Sequence, residues 1–160
     1  MIEIRGHTVL EKNTPIGILV SRFNSLITDQ LLKGAVETLK QHGIEDRFMT
    51  VVRVPGAYDM PLILQEMARS NNYKAIICLG AVIQGATPHH EFIASDVFSK
   101  ISQISLSENI PIALGILTTQ TIEHAIERAG TKLGNKGSEA ALAALEMINV
   151  LEQLRCHPER

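Results

Sequence analysis

The stretch Gly80-Ala81-Val82-Ile83-Gln84-Gly85-Ala86-Thr87-Pro88-His89-His90-Glu91 joins an apolar run, a glycine turn and a helix start. Thr87 is a good N-cap and Pro88 suits the first helical position. Backbone N–H groups around Gly85, Ala86 and Thr87 would then converge at the positive end of a helix dipole, which is how such termini hold phosphate. The turn lacks the Gly-Lys-Ser/Thr ending of a P-loop, and a glycine turn alone is weak evidence of a ligand. His89 falls in the first helical turn, where the dipole favours the neutral ring; neutral imidazole can take a proton and return it. For His89 in isolation, a surface histidine near a helix end is the commoner explanation. His90 lies about 100° further round the helix and is expected to face away from that site. Adjacent histidines do not share a helix face and no His-Glu-x-x-His pattern occurs, so the sequence predicts no metal site.

Three other segments carry the residue types of a binding site. Ser21-Arg22-Phe23-Asn24 follows an apolar run, and Phe23 is either a hydrophobic staple for the next helix or a flat face for stacking a planar ring. Val54-Pro55-Gly56-Ala57-Tyr58-Asp59 makes a turn in which Gly56 allows backbone to approach a ligand closely. Asp59 there caps the following helix or accepts hydrogen bonds from a polyol, with the cap favoured by local sequence. Arg128, Lys132 and Lys136 cluster around Gly130 and Gly134, forming either a solvated basic loop or a phosphate clamp.

These segments sit at the ends of a strand-then-helix rhythm. Residues 16–20, 48–54, 75–83 and 112–117 read as strands, the third so apolar that it must be covered on both faces. A helix from residue 24 places Leu26, Ile27, Leu31, Leu32, Ala35, Val36 and Leu39 on one face and stops at Gly43. Further helices are expected over residues 61–68, 88–107, 121–129 and 135–154. Four strands alternating with helices predict an α/β, flavodoxin-like three-layer sandwich, with a four-stranded parallel core sheet and helices on both faces. Ile2-Glu3-Ile4 could add an edge strand, here or on a neighbouring subunit. Ligands of such sheets bind beyond the carboxyl ends of the strands, where the four segments lie.

Composition narrows the function classes. With 160 residues, 45% of them hydrophobic and 20% charged, the chain is expected to form one globular domain over residues 1–160. A net charge of −2 gives no global attraction to nucleic acid or to an anionic membrane. No apolar run approaches the roughly 20 residues that span a bilayer, and no signal peptide opens the chain, so a cytoplasmic protein is expected. Cys78 lies in an apolar run as a buried structural thiol and Cys156 in the terminal tail; neither has metal-ligand spacing.

Taken together, Ser21-Arg22-Phe23-Asn24, Val54-Pro55-Gly56-Ala57, Gly85-Ala86-Thr87-Pro88-His89 and Ile126-Glu127-Arg128-Ala129-Gly130-Thr131-Lys132-Leu133-Gly134-Asn135-Lys136-Gly137 resemble the lumazine synthases over nearly the whole chain. The resemblance implies a cofactor-free enzyme that condenses 5-amino-6-(D-ribitylamino)uracil with 3,4-dihydroxy-2-butanone 4-phosphate. Its products would be 6,7-dimethyl-8-ribityllumazine, phosphate and water, in the penultimate step of riboflavin biosynthesis. It implies that Phe23 stacks on the pyrimidine, that Ala57, Tyr58 and Asp59 line the ribityl side, and that Ala81, Val82 and Ile83 line the heterocycle. It further assigns the phosphate to Ala86 and Thr87, a completing clamp to Arg128 of the adjacent subunit, proton transfer to His89 and ring substituents to Lys136. Three positions depart from the family pattern: Asp59 replaces the usual Glu, Leu114 a common Phe on one wall of the ring pocket, and Gln84 a frequent Arg. The resemblance also implies a homo-oligomer of five-membered rings, many relatives closing twelve rings into a hollow sixty-subunit shell, and raises riboflavin synthase as a candidate partner. The short Gly130-to-Gly137 connection leans toward the shell. A non-catalytic flavin- or lumazine-binding homologue is the alternative.

Overall fold

Four parallel strands form the centre of the computed structural model, which describes residues 1–156. The chain runs β1 (Ile16–Ser21), α1 (Ser25–Gln41), β2 (Met49–Val54), α2 (Met60–Arg69), β3 (Ala75–Ile83), α3 (His89–Glu108) and β4 (Ile112–Thr119). It continues through α4 (Ile122–Glu127), β5 (Ala129–Thr131), β6 (Gly134–Asn135) and α5 (Lys136–Cys156). Sheet order is β2-β1-β3-β4, so β1 and β3 are central, and β3 is buried along nearly its whole length. That explains its unbroken apolar sequence: both faces are covered.

The side chains divide between two cores. On one face Ile18, Val20, Ile77 and Leu79 meet Leu31 and Leu39 of α1 and Ala141 and Leu145 of α5. On the other, Leu19, Ile76 and Cys78 meet Leu64 of α2 and Val97 and Ile101 of α3. The architecture is the expected α/β sandwich. α1 ends as its sequence predicts: Gly43 takes φ 89°, and Ile44 N–H donates to the Leu39 carbonyl at 3.0 Å, closing the last turn. α1 and α5 cross closely because Gly137 has no Cβ; one added there would run into the Leu31 carbonyl. Asn135 locks the crossing, its Nδ2 donating to the Gln30 carbonyl at 3.0 Å while its Oδ1 accepts from Gly137 N–H at 2.8 Å.

Three local expectations change. α3 starts at His89 after Pro88, and no side chain caps it, so Thr87 lies in the preceding bend and is not an N-cap. The segment before α5 is not a plain loop but an antiparallel β5–β6 pair turning through Gly134 at φ 79°. Residues 1–15 add no strand to this chain's own sheet; His7 N–H donates to Asn149 Oδ1 and Gln153 Nε2 to the Arg5 carbonyl, which lays the segment along α5. Among the described residues no helix is long and apolar enough to cross a membrane. His157 to Arg160, the end of the expected domain, lie outside the described residues.

Candidate active site

A cavity of about 430 Å³ opens beyond the carboxyl ends of β1, β2 and β3. β1 leaves the sheet guided by β2, with Arg22 N–H donating to the Val54 carbonyl at 2.8 Å and Phe23 N–H to the Pro55 carbonyl at 2.9 Å. Asn24 then reverses direction in the left-handed region at φ 62°, which Asn tolerates better than most residues. Its Nδ2 donates to the Ala81 carbonyl at 3.1 Å, fixing this exit to β3. The reversal leaves Phe23 72% exposed at the cavity wall instead of stapled under α1. A benzene ring held by its backbone with so much of its surface free is suited to stacking.

From β2, Ala57 and Tyr58 contribute the next wall. Asp59 does not cap α2. Its Oδ2 accepts from Gly56 N–H at 3.0 Å, closing the short turn Ala57–Asp59, and the residue lines an adjoining cleft rather than the cavity. From β3 come Ala81, Val82 and Ile83, followed by Gly85 and Thr87 and then His89, His90 and Ile93 at the start of α3. Phe23, Thr87 and His89, three distant points of the sequence, thus border one space. Ala86 sits exposed in the bend between Gly85 and Thr87. Glu91 N–H donates to the Pro88 carbonyl at 3.2 Å, while no side chain caps α3, which leaves the N–H groups of His89 and His90 available to an anion.

A second cleft of about 300 Å³ lies beside the outer strand β4, lined by Ile116, Leu117, Thr118, Arg128, Leu133, Lys136 and Glu139. Arg128 is anchored by Nη1 to the His124 carbonyl at 3.1 Å, and Lys136 Nζ stands 3.5 Å from Glu139 Oε2. Arg128 closes α4 and Lys136 opens α5, and Lys136 N–H donates to the Arg128 carbonyl at 2.9 Å, which keeps the two cations together. Leu114 belongs to neither depression; it is 37% exposed on β4, the strand at the open edge of the sheet. Within one chain, therefore, Arg128, Lys136 and Leu114 do not join Phe23 and His89.

Sequence reasoning missed His90. It lines the same cavity as His89, because α3 begins only one residue earlier and the helix contacts the Ala57–Asp59 turn that forms another wall. Its Nδ1 is fully occluded and has no hydrogen-bond partner. Angular separation of 100° around a helix does not separate two side chains when the helix end itself projects into a cavity. Asn24 was missed as well, although an Asn just after a strand is a recognisable candidate for left-handed backbone.

No three His, Cys, Asp or Glu side chains gather as metal ligands among the described residues. Both cysteines are free thiols, and burial pushes Cys78 up to about 12, leaving it neutral and inert in the core. The chemistry open to the cavity is thus stacking, anion binding at a helix start and proton transfer by imidazole. A family model described as 6,7-dimethyl-8-ribityllumazine synthase matches residues 13–152, nearly the whole of this chain.

Proposed function

The chain belongs to the 6,7-dimethyl-8-ribityllumazine synthase family of riboflavin biosynthesis, and on that premise we propose that it condenses 5-amino-6-(D-ribitylamino)uracil with 3,4-dihydroxy-2-butanone 4-phosphate. The observation that carries this reading is the shared cavity of Phe23, Thr87 and His89. The aromatic face of Phe23 receives the pyrimidine, with Ala81, Val82 and Ile83 along the heterocycle and Ala57 and Tyr58 toward the ribityl chain, whose far end would have to reach the adjoining cleft to meet Asp59. Ala86, Thr87 and the N–H groups of His89 and His90 at the start of α3 hold the phosphate. Residues 1–160 act as one domain, and its working form is a cytoplasmic homo-oligomer in rings of five.

The reaction needs no redox step. The substrate amine attacks the ketone and loses one water to give an imine; phosphate leaves by elimination; the second amine closes the ring and a second water departs. Each stage moves protons, and His89 is the group placed to take and return them. Holding both substrates in register supplies roughly 7–11 kcal/mol in favourable cases, so orientation carries much of the acceleration. Departing phosphate requires positive charge, and no Lys or Arg lines the cavity. Arg128 and Lys136 are supplied by the second cleft of an adjacent subunit facing the first cavity, with Leu114 of its exposed β4 surface beside them.

Mixing the two substrates with the protein tests the reading. Lumazine fluorescence and inorganic phosphate are expected to rise together in equal amounts. Tight binding of the ribitylated pyrimidine with neither product formed would contradict catalysis and identify a non-catalytic binding homologue.

A further inference from the structure

His90 is an imidazole for which the proton chemistry of His89 leaves no task. It lines the cavity, yet its Nδ1 is turned into the protein, fully occluded and without a partner. A neutral imidazole carries one N–H. On Nδ1 that proton would be a buried donor with no acceptor, an arrangement folded proteins avoid. The proton therefore belongs on Nε2, the nitrogen at the opposite side of the ring, which makes Nε2 a donor.

Few side chains on the wall where a polyol would lie can donate to it. Asn24 uses its amide nitrogen on the Ala81 carbonyl, and Asp59, an acceptor from Gly56 N–H, lies in the adjoining cleft, which leaves the Tyr58 hydroxyl as the other donor on that side. α3 contacts the Ala57–Asp59 turn, and His90 lines the cavity together with Ala57 and Tyr58, which brings it to that side. We propose that His90 is a specificity-determining residue whose Nε2–H donates a hydrogen bond to a hydroxyl of the polyol carried by the pyrimidine substrate. The assignment rests on the proposed function and adds to it a residue that selects ribitylated over unsubstituted pyrimidines.

The test compares two unreactive ligands by calorimetry on the full chain: 6-(D-ribitylamino)uracil, which lacks the 5-amino group, and 6-(methylamino)uracil, which also lacks the polyol. In His90→Phe, affinity for the ribityl ligand is expected to fall about tenfold, and that for the methylamino ligand to stay within about twofold. His90→Gln, whose amide nitrogen falls near the Nε2 position, recovers most of the loss; His90→Asn, which mimics Nδ1, does not. These two variants carry the same comparison if His90→Phe fails to fold. Equal loss for both ligands, or no loss for either, overturns the assignment. Wild-type protein that binds neither ligand and forms no lumazine contradicts the function itself. Lumazine formation by a wild type whose preference for the ribityl ligand survives in His90→Phe contradicts only the role of His90.

Discussion

The cavity at the ends of β1, β2 and β3 is walled by Phe23, Ala57, Val82, Ile83 and Ile93 and carries two histidines, with no lysine or arginine among its lining residues. The cleft beside β4 has the reverse character: Arg128, Lys136 and Glu139, and no histidine. The contrast follows from position. The ends of the two central strands β1 and β3, with neighbouring β2, open on an apolar space beside α3, whereas β4 at the opposite edge and the β5–β6 pair tolerate charge. A condensation that expels phosphate needs both surfaces, a stacking face with a proton carrier and a cationic hold on the leaving anion. Under the proposed function, the difference makes the two depressions unlike halves of one site rather than one site and a spare.

Substitutions that strike one half sharpen this contrast. The largest effect is expected for His89→Ala, with turnover slowed by roughly 10²–10⁴-fold in steady-state lumazine formation while measurable activity persists. Complete loss, with folding and ligand binding intact, would contradict the large share given to orientation. Arg128→Ala comes next. Losing a charge-assisted contact should raise the apparent constant for the sugar phosphate by roughly 10- to 100-fold and leave that for the pyrimidine nearly unchanged. An equal rise for both substrates breaks the division of labour. Phe23→Leu, which keeps an apolar wall but removes the ring, should weaken pyrimidine binding by roughly 2- to 10-fold without touching the sugar phosphate.

The smallest effect probes the core that supports both halves. The Cys78 thiol ionises near 9.0 in an unfolded chain, but burial pushes it to about 12 in the folded one. Both states are neutral below pH 9, so the stabilising contribution is intact there. Above it the unfolded chain loses its proton first, and stability should fall by roughly 1 kcal/mol per pH unit until the folded thiol titrates. Urea unfolding between pH 8 and 11 checks this against Cys78→Ala, whose stability should decline less steeply; parallel slopes would contradict it.

Much of the architecture was legible because it depends on local pattern. The unbroken apolar run of β3 announces a strand covered on both faces, and the stripe of Ile27, Leu31, Ala35 and Leu39 ending at Gly43 announces α1. The strand-end rule located the cavity through Phe23, Ala57 and Thr87. What escaped depends on geometry that sequence spacing does not encode. The β5 and β6 strands, of three and two residues, are too short for any period to register. The first turn of α3 begins one residue later than Pro88 suggested, which brought His90 into the cavity and left Thr87 uncapping. The partner of Asp59 is its own turn, a contact decided by the conformation at Gly56. Roles for Arg128, Lys136 and Leu114 came from family resemblance alone, since the chain by itself keeps them away from Phe23.

Co-assembly tests most directly whether the site is divided between subunits. His89→Ala and Arg128→Ala chains are denatured, mixed in equal amounts and refolded together, and lumazine formation at sugar phosphate far below the wild-type KM, where both variants alone are nearly inactive, is compared with each variant refolded alone. If each site pairs the cavity of one subunit with the cleft of its neighbour, about a quarter of the interfaces in a random mixture combine two intact halves, and activity should recover to about a quarter of wild type. A mixture no more active than the average of the two variants would contradict the account.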